Sequence, residues 1–158
     1  MDSALVPTEA LAKKPSYNQI RLFEAHLYEL PQRELECNHH FFDGYYFREL
    51  SIPADTFLTG KTHTTEHWNF LAKGRITVWT EEGMKTLEGP VMVPSQPGCK
   101  RVGYTHTDTV WICLHDNPDN ERRVEVLEAR LIDEPPRLSV DELQLLVSNE
   151  AKLLEVKQ

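Results

Sequence analysis

The chain begins with a short helical pattern. Between positions 18 and 30 apolar residues recur every three or four positions, and Pro31 ends the pattern. These apolar residues are Ile20, Phe23, Leu27 and Leu30. The spacing predicts a short helix that lies against the outside of the core. Residues 1–16, with Pro7 and Pro15, are predicted to form a loosely packed tail.

From Leu35 to about Arg130 the pattern changes to short runs of β-branched and aromatic residues separated by turn residues. Asp43-Gly44 is the strongest hairpin signal, since it separates two such runs by a favoured turn dipeptide. Later runs occupy residues 75–80, 84–87, 91–94, 101–105 and 109–115. Many short strands at regular spacing predict a mainly β sandwich or barrel. Residues 124–132 fit a strand and a helix equally well.

A second helical pattern closes the chain. Ser139-Val-Asp-Glu142 is a capping box, and Leu138 and Leu143 are placed as a hydrophobic staple. The helix should extend to about Val156, with an apolar stripe that needs a cover. We therefore predict three parts: an N-terminal tail and short helix at 1–34, a β-barrel at 35–132 and a C-terminal helix at 133–158.

Composition and charge limit the classes of partner that the protein is expected to bind. The formal net charge is −8, which argues against a nucleic-acid partner, because such surfaces need clustered Lys and Arg. No apolar run is long enough to span a membrane, and the N-terminus lacks the features of a secretory signal. The 3 cysteines include no Cys-x-x-Cys pair, so we expect no disulfide framework and a cytoplasmic location.

The most informative segment runs from Gly60 to Gly74. It contains His63, Glu66 and His67, which could be the His-x-x-Glu-His motif of a zinc-protease helix. Neighbouring threonines are poor helix formers, the bracketing glycines are typical of turns, and a strand-like run follows. We therefore predict that the segment is a barrel wall whose histidines point inward.

These residues resemble the cupin superfamily. Its first motif is Gly, five residues, His-x-His, three or four residues, Glu, six residues and Gly. His63 takes the second histidine position, His67 takes that of the glutamate, and Gly74 follows after the required six residues. Lys61 stands where the motif has its first histidine. In the second motif, which Gly89, Pro97 and Gly98 match loosely, Arg101 stands in the histidine position.

The resemblance implies a cupin-type β-barrel or jelly roll of six to eight strands with a metal in its mouth. Its segments are also similar to small single-domain cupins of bacteriophage genomes. His63 and His67 are then the surviving ligands, and a third donor is needed. His106 ranks first, if a bulge at Gly103 turns it inward. Glu66 and His115 are alternatives: a kinked strand would turn Glu66 inward, and His115 would close the far end of the barrel.

Two functions follow from that resemblance. In the first, a divalent transition metal (Fe, Mn, Ni or Zn) acts in an enzyme, Lys61 and Arg101 anchor a small anionic molecule, and Glu66 or Tyr104 is the general acid or base. In the second, the barrel has lost its metal and binds a small anion, such as a sugar acid or nucleotide, without catalysis, or is part of a virion. A third possibility is an oligomerisation module. A homodimer or other homo-oligomer, with the C-terminal helix as the contact, is predicted.

Overall fold

A computed structural model describes residues 14–157, so most of the predicted tail lies outside the described residues. Within these residues the chain forms three helices and nine strands. The helices are α1 (Tyr17–Tyr28), α2 (Val124–Leu131) and α3 (Val140–Val156). The strands are β1 (Glu36–Phe42), β2 (Gly44–Ile52), β3 (Thr56–Thr59), β4 (His67–Lys73), β5 (Arg75–Thr80), β6 (Gly83–Glu88), β7 (Val91–Ser95), β8 (Val102–Thr105) and β9 (Thr109–Asn117).

The strands form two antiparallel sheets. One sheet has the order β1-β2-β9-β4-β7 and the other has the order β3-β8-β5-β6. A cluster of Leu71, Ile76 and Val78 joins the sheets, because Leu71 belongs to the first and the other two to the second. The predicted mainly β fold, with a short N-terminal helix and a C-terminal helix, is confirmed.

α1 packs on the four-stranded sheet, and α3 packs on α1. Ile20 and Phe23 of α1 are buried against Val102 of β8. Both predicted helices begin with a capping box, at Ser16 and at Ser139. α3 packs on α1, and Leu143 is 2% exposed. Within residues 14–157, no helix combines the length and the apolar character that a membrane crossing requires.

The five-stranded sheet leaves an apolar outer face exposed. Trp68 and Phe70 on β4 alternate with buried residues. Met92 on the neighbouring strand β7 pairs with Phe70. These side chains are 47%, 37% and 54% exposed, respectively. No helix of the described chain covers this face as α1 covers the other sheet.

Lys100 joins α1 to the barrel. Its side chain is 1% exposed, and its Nζ lies 2.9 Å from Glu24 Oε2 on α1. It also donates a hydrogen bond to the Gly60 carbonyl at 3.2 Å and lies 3.7 Å from Glu134 Oε1. A buried ammonium is stable only when paired in this way. Lys100 therefore fixes the start of the segment that carries His63.

Three sequence-based expectations need correction or completion. The histidine segment is not one strand, because β4 begins only at His67 and His63 makes an isolated bridge with Ile132. The ambiguous residues 124–132 form α2 and its C-cap. The bulge expected at Gly103 is absent, since β8 keeps a continuous register with both β3 and β5. Regular pairing therefore leaves no register shift to turn His106 inward.

Candidate metal centre and cavity

Three histidines meet inside the barrel. The ring centroids of His63 and His67 are 4.3 Å apart, those of His67 and His115 are 4.6 Å apart, and those of His63 and His115 are 5.0 Å apart. One ring nitrogen from each histidine lies within 4.8 Å of the other two. We call these three residues the histidine triad. Its geometry could hold a metal ion.

Adjacent strands supply two members of the triad. β4 alternates buried and exposed residues, so that His67 points inward with Asn69 and Leu71. β9 pairs antiparallel with β4, and His115 points inward on the same alternation as Cys113. Trp68 pairs with Leu114, so His67 and His115 are the next residues along the two strands. The sheet itself therefore brings these two imidazoles together.

A loop supplies the third member. Backbone bonds from the Asp133 amide to the Thr62 carbonyl and from the Thr64 amide to the Leu131 carbonyl, both 2.9 Å, flank His63. The His63 carbonyl accepts a hydrogen bond from the Gly98 amide, also at 2.9 Å. The residues that follow α2 thus hold the His63 loop on the barrel.

Two buried nitrogens of the triad have no hydrogen-bond partner among the described residues: His67 Nε2 and His115 Nδ1. His67 Nδ1 lies 3.1 Å from the Thr65 carbonyl oxygen, which can only accept. Neutral His67 therefore carries its proton on Nδ1 and directs the Nε2 lone pair at the other rings. Buried polar atoms are normally satisfied, and a metal ion shared by the triad would give both nitrogens a partner.

The triad is neutral at ordinary pH. Burial lowers the pKa of His63 to about 3, with further lowering by its two histidine neighbours. Burial also lowers the pKa of His115 to about 4, again helped by His67. The pKa of His67 is lowered chiefly by burial, while its hydrogen bond to Thr65 acts in the opposite direction. Neutral imidazoles are the form that binds metals, so no proton must leave first.

A cavity of about 290 Å³ adjoins the triad between the two sheets, and His63 forms part of its wall. Most of its lining is apolar, contributed by both sheets. The apolar lining residues include Leu35, Leu50, Ile52, Leu58, Ile76, Val78 and Trp111. All three cysteines of the chain also line it: Cys37, Cys99 and Cys113. Gly103 also lines it, and an added Cβ there would lie 3.0 Å from Ile76 Cδ1.

Three cationic side chains line the same cavity: Lys61, Arg101 and Arg48. Lys61 Nζ lies 3.4 Å from Glu128 Oε1, so its charge is already compensated. Arg101 donates only to neutral oxygens, the Ser95 hydroxyl at 2.8 Å and the Pro94 carbonyl at 3.2 Å. Arg48 donates from Nε to Cys37 Sγ at 3.4 Å. Among residues 14–157, neither arginine has a carboxylate within 4.0 Å.

The other predicted site residues lie elsewhere. His106 is exposed, and its Nε2 lies 2.6 Å from Thr77 Oγ1. The third imidazole of the group is therefore His115, in place of the expected His106. The hydroxyl of Tyr104 donates to Asp55 Oδ1 at 2.9 Å. Glu66 is exposed and accepts a hydrogen bond from Gln96 Nε2 at 3.1 Å. Neither of these two candidate acid–base residues lines the cavity.

Two residues of the site are not among the leading sequence-based candidates. The sequence ranks His115 below His106, although the alternation of Trp111, Cys113 and His115 on one strand face is a signal in its favour. Arg48 is not predicted as a site residue, yet it shares a strand face with Tyr46, Leu50 and Ile52. An arginine at an inward position of a predicted barrel strand is a signal for an internal charge.

Comparison with known proteins gives structural matches alone. No family model matches the chain, and no curated protein sequence matches it. KdgF from Halomonas sp. is similar at 8% identity and a TM-score of 0.47, over 62% of this chain and 93% of that chain. A cupin-2 domain containing protein from Shewanella frigidimarina is similar at 10% identity and a TM-score of 0.44, over 60% of this chain and 92% of that chain. DMSP lyase DddQ from Ruegeria pomeroyi is similar at 14% identity and a TM-score of 0.47, over 56% of this chain and 49% of that chain.

Proposed function

We propose that this protein binds one divalent transition metal through His63, His67 and His115, and a small anion in the adjoining cavity. The observation that carries the proposal is the pair of orphaned buried nitrogens, His67 Nε2 and His115 Nδ1, within reach of a third imidazole. Three neutral nitrogen donors leave an open coordination position, as catalytic metal sites do.

The three imidazole donors limit which metal ions the site would bind well. Imidazole suits Zn, Fe and Ni, whereas Mn prefers carboxylate and water oxygens. No carboxylate belongs to the triad of the described chain. We therefore favour Fe, Ni or Zn over Mn among the four metals considered from the sequence.

The described cavity lining contains no Asp or Glu. A bound metal would supply Lewis-acid polarisation of a ligand oxygen, which needs no protein base. Arg101 and Arg48 would hold the anion by charge-assisted hydrogen bonds. We therefore propose binding of metal and anion, and we assign no proton-transfer step to Glu66 or Tyr104.

Metal analysis tests the triad. Protein purified without a His tag, stripped with chelator and dialysed against Zn²⁺, Ni²⁺ or Fe²⁺ should retain about one equivalent. His67→Ala and His115→Ala should each weaken the affinity at least about 100-fold in a chelator competition, because two imidazoles cannot form a stable open site.

The matched control is His106→Ala, which removes an imidazole outside the triad. It should retain the metal like the unchanged protein. Loss of metal in His106→Ala together with retention in His115→Ala would contradict the assignment. A protein that retains no metal at all would favour the second candidate, a metal-free anion-binding barrel. That candidate is supported by the two arginines without carboxylate partners.

A further inference from the structure

Arg48 and Arg101 line a cavity that is otherwise mostly apolar. The two arginines belong to different walls, since Arg48 lies on β2 of the five-stranded sheet and Arg101 directly precedes β8 of the four-stranded sheet. Arg48, Arg101 and His63 all line this one cavity.

The rest of the lining offers few free hydrogen-bonding groups. Asn69 is 1% exposed, and its Oδ1 already accepts from Trp111 Nε1 and Cys113 Sγ, both at 3.2 Å. Its Nδ2 donates to the Val93 carbonyl at 3.4 Å. Apart from the cations, the thiols and His63, Thr59 is the other polar side chain of the lining, and its hydroxyl donates to Glu24 Oε1 at 2.9 Å.

This shortage excludes ligands with many polar groups. A sugar acid or nucleotide would bury several hydroxyls or ring nitrogens without partners, and each unsatisfied group costs about 1–3 kcal/mol. A phosphate is typically held by several backbone amides at a loop or helix N-terminus. Here most lining residues lie on strands whose amides pair within the two sheets, and the loop amides of Gly60 and Cys99 donate to the Arg101 and Gln96 carbonyls. A carboxylate needs only the planar guanidinium groups that are present.

We infer that the ligand is a small carboxylate with an apolar body, aliphatic or aromatic. Its carboxylate lies between Arg48 and Arg101 beside His63, and its body packs against Leu50, Ile76 and Trp111. This inference deepens the proposed small-anion site and rests on it. Arg48 becomes a specificity-determining residue, because it supplies the uncompensated charge on the wall opposite Arg101.

Calorimetry with small probes tests the inference. Benzoate and hexanoate should bind at least about 10-fold more tightly than benzamide and hexanamide, which have the same shape without the charge. They should also bind more tightly than gluconate and inorganic phosphate, which carry charge without an apolar body. Each probe is titrated into metal-loaded and into chelator-treated protein.

Arg48→Met keeps an unbranched apolar stem and removes the charge. It should weaken benzoate binding about 10- to 100-fold and leave the weak benzamide binding unchanged. Arg75→Met is the matched control, because Arg75 is an exposed strand residue that does not line the cavity. Circular dichroism and thermal unfolding verify that both variants fold. Arg48→Lys restores a charge without the guanidinium fork and should recover part of the affinity.

The outcomes separate the two proposals. Equal affinity for benzoate and benzamide, or benzoate binding unchanged in folded Arg48→Met, overturns the inference. If gluconate or phosphate binds as tightly as benzoate, the claim that the ligand has an apolar body is overturned. The proposed anion site is then retained. Absence of binding by benzoate and hexanoate up to about 10 mM overturns the inference too. If metal analysis finds no retained metal and benzoate still binds more tightly than benzamide, the carboxylate inference is supported. The metal is then removed from the proposed function.

Discussion

At the scale of single residues, one buried charge holds several parts of the molecule together. Among the Lys and Arg residues of positions 14–157, Lys100 is the one whose side chain is buried. Glu24, its partner, is 13% exposed. Their pair links α1 to the segment before His63 through the Gly60 carbonyl. Removing one partner of a buried pair is costly, because the other charge stays desolvated.

We therefore expect Lys100→Met to lower the free energy of unfolding by about 3–5 kcal/mol, measured by urea denaturation. Lys61→Met is the matched control, since its pair with Glu128 is 41% and 38% exposed and should contribute at most about 1 kcal/mol. The double variant Lys100→Met with Glu24→Gln should recover part of the loss. If Lys100→Met and Lys61→Met have equal free energies of unfolding, the buried pair contributes no more to stability than the exposed pair.

Individual residues also show how far the sequence alone could lead. His63 and His67 were identified from motif spacing, and both belong to the triad. His115 could not be ranked first, because its partner strand β4 is far away in sequence and the pairing of β9 with β4 is a tertiary fact. His106 was favoured through an assumed bulge, and a regular ladder at Gly103 removes that argument. Spacing reports which face a residue takes, whereas register decides which neighbours it meets.

At the scale of elements, the strands supply two imidazoles and the chain after α2 supports the third. The isolated bridge between His63 and Ile132 joins the loop to that segment. The first hairpin is predictable from its turn residues Asp43-Gly44, α1 from the spacing of its apolar residues, and α3 from its capping box. The bridge was not predictable, because an isolated pair leaves no periodic pattern in the sequence.

Asp133→Pro tests the role of that segment. Proline removes the amide that donates to the Thr62 carbonyl, so the His63 loop should loosen while the two strand histidines stay in place. Metal affinity should fall about 10- to 100-fold, as it does when other supporting groups of metal ligands are removed. Chelator competition measures the change.

Arg137→Pro is the control for Asp133→Pro. It lies in the same connection between α2 and α3, but its amide makes no described backbone hydrogen bond. Its metal affinity should match that of the unchanged protein. If both proline variants lose affinity equally, the effect belongs to the connection as a whole and the specific role of the Asp133 amide is refuted.

At the scale of the whole molecule, the neutral triad makes stability depend on pH. The folded pKa values of His63 and His115, about 3 and about 4, lie below the usual value of 6.5. At pH values between the folded pKa values and 6.5, these histidines bind more protons in the unfolded chain than in the folded chain. A fall in pH through this range therefore favours unfolding. The stabilising contribution is fully present above about pH 6.5 and is lost as the pH falls through the folded pKa values, about 4 for His115 and about 3 for His63.

Chelator-treated protein should therefore unfold at lower urea concentrations at pH 4.5 than at pH 7, by an amount that is smaller in His63→Gln. Urea titrations at both pH values measure this difference. His40→Gln, which replaces an exposed histidine, serves as the comparison. An identical pH dependence in His63→Gln and the unchanged protein would show that His63 is not the source of the acid sensitivity.

The whole molecule also presents two apolar surfaces to its surroundings. One is the outer face of the five-stranded sheet, with Trp68, Phe70 and Met92. The other is on α3, where Leu153 and Leu154 are 63% and 65% exposed. Exposed patches of this kind often mark interfaces. The predicted homo-oligomer, the cytoplasmic location and the similarity to cupins of phage genomes stay predictions.

The bridge between His63 and Ile132 has a consequence for how the protein is made. During synthesis His63 and His67 leave the ribosome early, whereas β9 with His115 and the segment at Ile132 emerge only later. Until then the nascent chain offers only the imidazoles of His63 and His67, which are too few donors for a stable open site. The proposed metal site is therefore complete only once β9 and α2 have left the ribosome.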